Sequence, residues 1–197
     1  LYIYMNDPKI NTLITENPDE ADICIIGFPY DKGTEINNGR KGAKNGPNVF
    51  RKFLNTNGTV INPEINANLT NIKIFDHGNI DDSLSLSNAH SKLRKTVLYY
   101  LKKNIRVFVI GGTNDQSYPN VRALMDYCLL NDYTIDVINI DAHLDVRPLK
   151  NGLAHSGSPF FQMLNDEDFK KLSGLFVEYS CQGEQCSNEH AKFVKDK

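Results

Sequence analysis

Short apolar runs rich in β-branched residues alternate along this chain with stretches of helical periodicity, and no other feature narrows its folding options as much. Residues 22–28, 72–76, 106–110, 135–140 and 175–179 read as strands. Pro47 opens a helix through Val49, Phe50, Phe53 and Leu54. Ser87 caps a second helix, with Leu93, Val97, Leu98 and Leu101 at helical spacing. That helix ends in lysines, which suit the negative end of the helix dipole. Pro119 starts a third, with Val121, Leu124, Met125 and Cys128 on one face. Short helices follow at 159–164 and 166–172, and Ser187 caps a last one through Phe193 and Val194. Strands alternating with helices predict βαβ units, hence an α/β fold with a mostly parallel sheet and helices on both faces. Residues 29–46, rich in Gly and Asn, and the polar stretch 55–71 read as loops.

Ligands bind such sheets outside the carboxyl ends of the strands. The polar clusters fall at those ends, and the sharpest follows the apolar run at 135–140: Asp141-Ala142-His143-Leu144-Asp145. On an extended segment, residues two apart point to the same side. If the chain stays extended there, Asp141, His143 and Asp145 converge as two carboxylates and one imidazole, a ligand set suited to a divalent metal such as Mn or Zn. The bland alternative is a turn with hydrogen-bonded carboxylates and a surface His. Gly111-Gly112 after the third strand allows a tight turn, but the Gly-Lys-Ser/Thr ending of a phosphate loop is absent. His155-Ser156-Gly157-Ser158 contains no nucleophile elbow, because no strand precedes it and the Gly-x-Ser-x-Gly spacing is missing.

Composition sets outer limits. A chain of 197 residues with 40% hydrophobic and 23% charged side chains has enough apolar material for one cored domain. Its 22 Lys and Arg against 24 Asp and Glu leave a formal charge of −2, with no basic excess for nucleic acid or an anionic membrane. No apolar run approaches the ~20 residues that span a bilayer. Leu1-Tyr2-Ile3-Tyr4-Met5 is too short, and lacks the basic flank, for a signal peptide. Cys24 and Cys128 read as small core residues, and Cys181 and Cys186, five apart, as free thiols beside a loop, with a disulfide or thiol site as the alternative.

Three stretches in order resemble the ureohydrolase family of arginases, agmatinases and formiminoglutamases. They are Gly39-Arg40-Lys41-Gly42-Ala43 with Gly46-Pro47 and Arg51; Gly111-Gly112 with Tyr118-Pro119 and Arg122; and Asp141-Ala142-His143-Leu144-Asp145, which matches the family's Asp-Ala-His-x-Asp signature outright. The resemblance runs from about Asp22 to the end. It implies an arginase-like three-layer α/β/α fold and a cytoplasmic homo-oligomer. It also implies a two-manganese site in which a bridging hydroxide attacks the sp² carbon of a small amidine or guanidine. Asp141 would bridge both metals, with Asp145 on one and His143 on the other.

Arg147, Ser156 and Gly157 resemble the formiminoglutamase branch as substrate-binding residues, with Arg147 clamping a substrate carboxylate. His155 is the candidate for positioning substrate or moving a proton, against the blander reading of a solvated loop His. The expected activity is conversion of formiminoglutamate to glutamate and formamide, a step of histidine metabolism, with arginase or agmatinase as the alternative.

Two departures qualify this. Asn114 stands where the family usually carries a metal-binding His, and a carboxamide is the weaker ligand. Asp115 beside it should point elsewhere. The family's later Asp-x-Asp is not found after Asp145, and Asp166-Glu167-Asp168 reads as the first turn of a helix. The expectation is therefore a single domain over 1–197 lacking its C-terminal part, binding two, one or no metals. A metal-impaired binding or regulatory subunit is the reading from another class.

Overall fold

A computed structural model describes residues 8–56 and 58–197; the run Leu1 to Met5 lies outside the described residues. In chain order the elements are β1 (Ile14–Thr15), β2 (Ile23–Phe28), α1 (Lys32–Ile36), α2 (Gly46–Leu54), β3 (Ile61–Asn62), β4 (Ala67–Asn68), β5 (Ile74–Asn79) and α3 (Leu86–Lys102). They continue with β6 (Arg106–Gly111), α4 (Ser117–Asn131), β7 (Val137–Ile140), α5 (Pro159–Asn165), α6 (Glu167–Lys171), β8 (Phe176–Tyr179) and α7 (Asn188–Lys195). β1, β5, β2 and β6 pair in that order, all parallel.

The layers follow from the two-residue alternation along β2. Cys24, Ile26 and Phe28 pack on Ala89, Leu93 and Val97 of α3. Ile23 and Ile25 face the other way, onto Phe50 and Leu54 of α2 and onto Val60. Helices thus cover both faces, the α/β/α arrangement that the alternation predicts. A second core joins Met125 and Cys128 of α4 to Val137, Phe160, Met163 and Phe169, with Phe176 and Phe193 at its margin.

Ionic contacts pin these layers. Arg51 of α2 donates from Nε and Nη2 to the two Asp76 oxygens of β5, at 2.6 and 2.8 Å. The fork geometry makes such a bidentate pair both strong and directional. Arg122 of α4 reaches Asp126, Asp166 and Asp168, tying α4 to the cap of α6. Asp166 also accepts from the Asp168 amide at 3.0 Å and is the N-cap of α6, while Glu167 and Asp168 lie in the first turn that the sequence predicts.

Several expectations need correction. The loop at 29–46 contains α1, because the Asp31 carboxylate takes the Gly42 and Lys44 amides and folds the loop back on itself. The connection at 55–71 contains the β3–β4 hairpin and buries Val60. The cap of α3 is Ser85, whose hydroxyl accepts from the Asn88 amide, and not Ser87. α4 starts at Ser117, with Pro119 inside its first turn.

Among the described residues the parallel strands also form two sheets, since β7 pairs with β8 alone. β7 is therefore not buried on both faces: Val137 is inside, while Ile138 and Ile140 are 65% and 73% exposed. Val177 and Tyr179 are exposed on the adjoining strand. Among the described residues, no helix is long and apolar enough to cross a membrane.

The turn after β6 leaves no room for a side chain. The Gly112 amide donates to Phe28 O at 2.8 Å, and a Cβ there would lie 2.2 Å from Tyr30 O. Gly112→Ala is expected to lower stability by about 1–3 kcal/mol through forced backbone displacement. A fall in the urea midpoint at unchanged m-value would record it.

Candidate functional site

β7 delivers the Asp-Ala-His-x-Asp run to the carboxyl end of its sheet, but the extended geometry stops at Ile140. One more ladder bond follows, from the Asp141 amide to Tyr179 O at 3.2 Å. Asp141 then turns the chain by accepting from the His143 amide at 2.7 Å. Asp145 lies in the left-handed region at φ 47°. The triplet therefore lies on a turn and not on an extended strand, which corrects the expectation that strand alternation makes the three side chains converge.

His143 Nδ1 lies 3.1 Å from Asp141 Oδ1. With the proton on Nδ1, Nε2 presents a free lone pair. Asp145 accepts a hydrogen bond from Asn114 Nδ2, and Ser117 Oγ donates to Asn114 Oδ1 at 2.6 Å. Asn114, Asp145 and His143 share a cavity of about 210 Å³ with Asn37, Arg147 and Ser156.

Asn114 and Asp115 point in opposite directions, as adjacent side chains should. Asp115 is fully buried, with His90 Nε2 at 2.6 Å and the Thr113 hydroxyl at 2.7 Å. A Cβ on Gly33 of α1 would sit 1.7 Å from its Oδ1, so only glycine fits there. This clasp fixes the turn from which Asn114 projects.

The other wall comes from the loop after β7. Arg147 donates from Nη1 to Asn37 Oδ1 at 3.3 Å, and Asn37 Nδ2 donates to Ser156 Oγ at 2.9 Å. Among the described residues Arg147 makes no ion pair; its guanidinium bonds to the Asn37 amide oxygen. Gly157 lies under it: its carbonyl accepts from the Arg147 amide at 2.8 Å, and a Cβ would come 3.1 Å from Arg147 Cδ.

His155 is not a solvated loop residue. It is 3% exposed, with Nε2 on Pro148 O at 3.0 Å and Nδ1 accepting from the Gly157 amide at 3.2 Å. Both nitrogens are occupied in closing the loop, and the ring does not line the cavity.

The structure adds residues the sequence did not single out. Asn37, Gln185 and His190 line the cavity from α1, from the turn after β8 and from α7. Glu178 sits opposite Asn139 on the neighbouring strand and accepts from its Nδ2 at 3.0 Å, while its buried Oε1 has no partner. Burial, opposed by that bond and reinforced by Asp145 and Asp141, raises the Glu178 carboxyl to about 7. Burial also raises Asp145, with the Asn114 bond opposing and Asp141 adding repulsion. No sequence motif marks Glu178; only strand pairing brings it to the acidic cluster.

The charge balance tests whether a metal fits. Asp141, Asp145 and Glu178 repel one another, and an orphaned carboxylate oxygen lies among them. A divalent cation would supply the missing charge, and carboxylates with a free imidazole nitrogen are donors that Mn accepts. As they stand, no three His, Cys, Asp or Glu side chains among the described residues are grouped closely enough to hold an ion. The donors fit the ion chemically, and the cage is partial. A larger cavity of about 870 Å³ lies between α3, α4 and the 149–154 loop, but it holds none of these donors, and its Arg94 and Arg122 are already paired with carboxylates.

A carboxyl raised from 4.5 to about 7 favours the folded state less as it ionises. The metal-free protein should thus lose stability as pH rises from about 4.5 to 7 and then level off. Glu178→Gln should flatten that window and exceed the parent at pH 8 by on the order of 1–3 kcal/mol, with near-equality below pH 4.5. Urea unfolding of both proteins across the range checks the sign.

Comparison with known proteins matches this geometry to one family. The arginase family model matches residues 21–182. The chain is 33% identical over 167 residues to a formimidoylglutamase of Streptococcus gordonii, covering 84% of this chain and 46% of that protein. It spans about half the length of the curated relatives it matches. A manganese-bound formiminoglutamase from Trypanosoma cruzi superposes with a TM-score of 0.88 at 46% identity, over 97% of this chain and 63% of that one. A formimidoylglutamase from Bacillus subtilis, at 22% identity and a TM-score of 0.80 over 96% of this chain and 58% of that one, shares the fold. The matched core, with its parallel strands and its Asp141-Ala142-His143-Leu144-Asp145 turn, places the chain in the arginase family.

Proposed function

We propose that this chain carries the substrate wall and part of the metal centre of a manganese-dependent hydrolase of linear amidines, acting on formiminoglutamate to give glutamate and formamide. Arg147 carries the reading: a guanidinium without a carboxylate partner among the described residues faces the same small cavity as Asp145 and His143. The T. cruzi and S. gordonii relatives, both named for this activity, support the substrate class.

Asp141, Asp145 and the free nitrogen of His143 would hold manganese, with Asn114 as a neutral neighbour. When bound, the metal lowers the pKa of water toward neutrality and so supplies a nucleophile. Arg147 would grip a substrate carboxylate through two parallel N–H bonds, steadied by Asn37. The Ser156 hydroxyl adds a polar contact, and Gly157 leaves space for the Arg147 stem. Held so, the formimidoyl carbon takes the water oxygen. The bond to the glutamate nitrogen breaks, and that nitrogen leaves with a proton. His155 positions the loop, since both its nitrogens are used. The same resemblance implies a homo-oligomer in the cytoplasm.

Incubation with manganese and formiminoglutamate should release formamide and glutamate; urea alone, from arginine or agmatine, would move the chain to the alternative branch. Arg147→Ala is expected to raise KM at least tenfold, the scale of about 1.5–3 kcal/mol for a charged hydrogen bond, with kcat less affected. An unchanged KM would remove Arg147 from substrate binding.

One observation favours a second reading. Asn114 spends its amide on Asp145 and one lone pair of its oxygen on Ser117, which leaves a single weak, neutral donor where the family carries an imidazole. A metal-impaired binding subunit is the consequence. Metal analysis of the purified protein discriminates: two ions with turnover removes this reading, and none without turnover removes the first.

A further inference from the structure

Cys181 and Cys186 follow β8 on either side of a 3₁₀ turn, Gly183–Gln185, and neither enters the chemistry above. Their sulfurs lie 3.0 Å apart. Cys181 is exposed and Cys186 half-buried, whereas Cys24 and Cys128 are buried in the two cores. The turn between the pair is joined to the candidate site. The Gln182 amide donates to Ala142 O at 2.9 Å, and Cys186 Sγ lies 3.5 Å from the same oxygen. Ala142 is the residue between Asp141 and His143, and Gln185, inside the turn, lines the cavity with His143 and Asp145.

We propose that Cys181 and Cys186 form a reversible oxidation site, closed to an intramolecular disulfide by a low-molecular-weight disulfide such as oxidised glutathione. Exposure makes Cys181 the attacking sulfur. Burial and then the neighbouring thiol push Cys186 up to about 11, which keeps it from attacking first. The Cys181 thiolate displaces one glutathione thiolate and forms a mixed disulfide. The Cys186 sulfur then attacks Cys181 Sγ and releases the second glutathione. Two electrons pass from the two cysteines to one glutathione disulfide, and their two protons end on two glutathione thiols. Closure fixes the turn that carries Gln185, so the wall of the cavity loses freedom beside the Asp141–His143 backbone. The disulfide is read by mass and does not depend on the hydrolase reading.

Glu184 lies between the two cysteines, so a glutamyl endopeptidase cuts the chain between them. After equilibration of the folded protein with oxidised glutathione and alkylation, the two flanking peptides should remain joined and lose 2 Da relative to their sum (about, by loss of two hydrogens). Dithiothreitol should separate them. Cys186→Ser should instead accumulate a glutathione adduct at Cys181. Amide exchange over 182–186 should slow several-fold in the oxidised protein, with β2 unchanged. Separate alkylated or glutathionylated peptides from the parent protein, with no joined species, would overturn the proposal, as would pairing between two molecules.

Discussion

The buried carboxylate of Asp115 is the constraint on which the rest of this structure depends. A carboxyl group with no solvent access needs hydrogen-bond partners. It finds them in Thr113 of its own turn and in His90 of α3, and it lies against Gly33 of α1. Three segments far apart in sequence are locked at one point. The turn after β6 cannot rotate without leaving that buried carboxyl without its partners, so the direction in which Asn114 projects is settled by its neighbour. The clasp also holds α1 where Asn37, just past its end, can reach Arg147 and Ser156.

Outward from that point, the fold treats its two halves differently. The four-stranded sheet is covered on both faces by α2 and α3, with β2 at its centre. The β7–β8 pair is covered on one face only, by α4, α5 and the segments around them. Parallel strands are normally buried on both sides. Here Ile138, Ile140, Val177 and Tyr179 face outward from the pair that carries the candidate metal donors. The donors themselves lie on the turn beyond β7, where Asp141 caps its own strand and pairs with His143.

Electrostatics at this turn run against folding and toward ligand binding. Asp141, Asp145 and Glu178 share one region, and burial raises two of them, with Asn114, His143 and Arg147 opposing it at Asp145. Arg147 sits across the cavity, hydrogen-bonded to an amide oxygen and not to a carboxylate. A region with unsatisfied negative charge on one side and an uncommitted guanidinium on the other is suited to a cation and an anionic substrate together.

By itself, the sequence determined the α/β class, the five longer strands and the residues at their ends, because periodicity and β-branched runs are local properties. It also placed the Asp-Ala-His-x-Asp run, the opposed directions of Asn114 and Asp115, and the Ser187 and Asp166 helix ends. Only the tertiary structure decided what these residues touch. His155 reads as a solvated loop residue until the packing of its loop buries it. Glu178 reads as one strand residue among others until pairing sets it beside Asn139. Asn37 lies 110 positions from Arg147 and carries no motif. Burial and long-range pairing arise from how elements meet, and no local pattern encodes the distance between two strands or the water excluded between them.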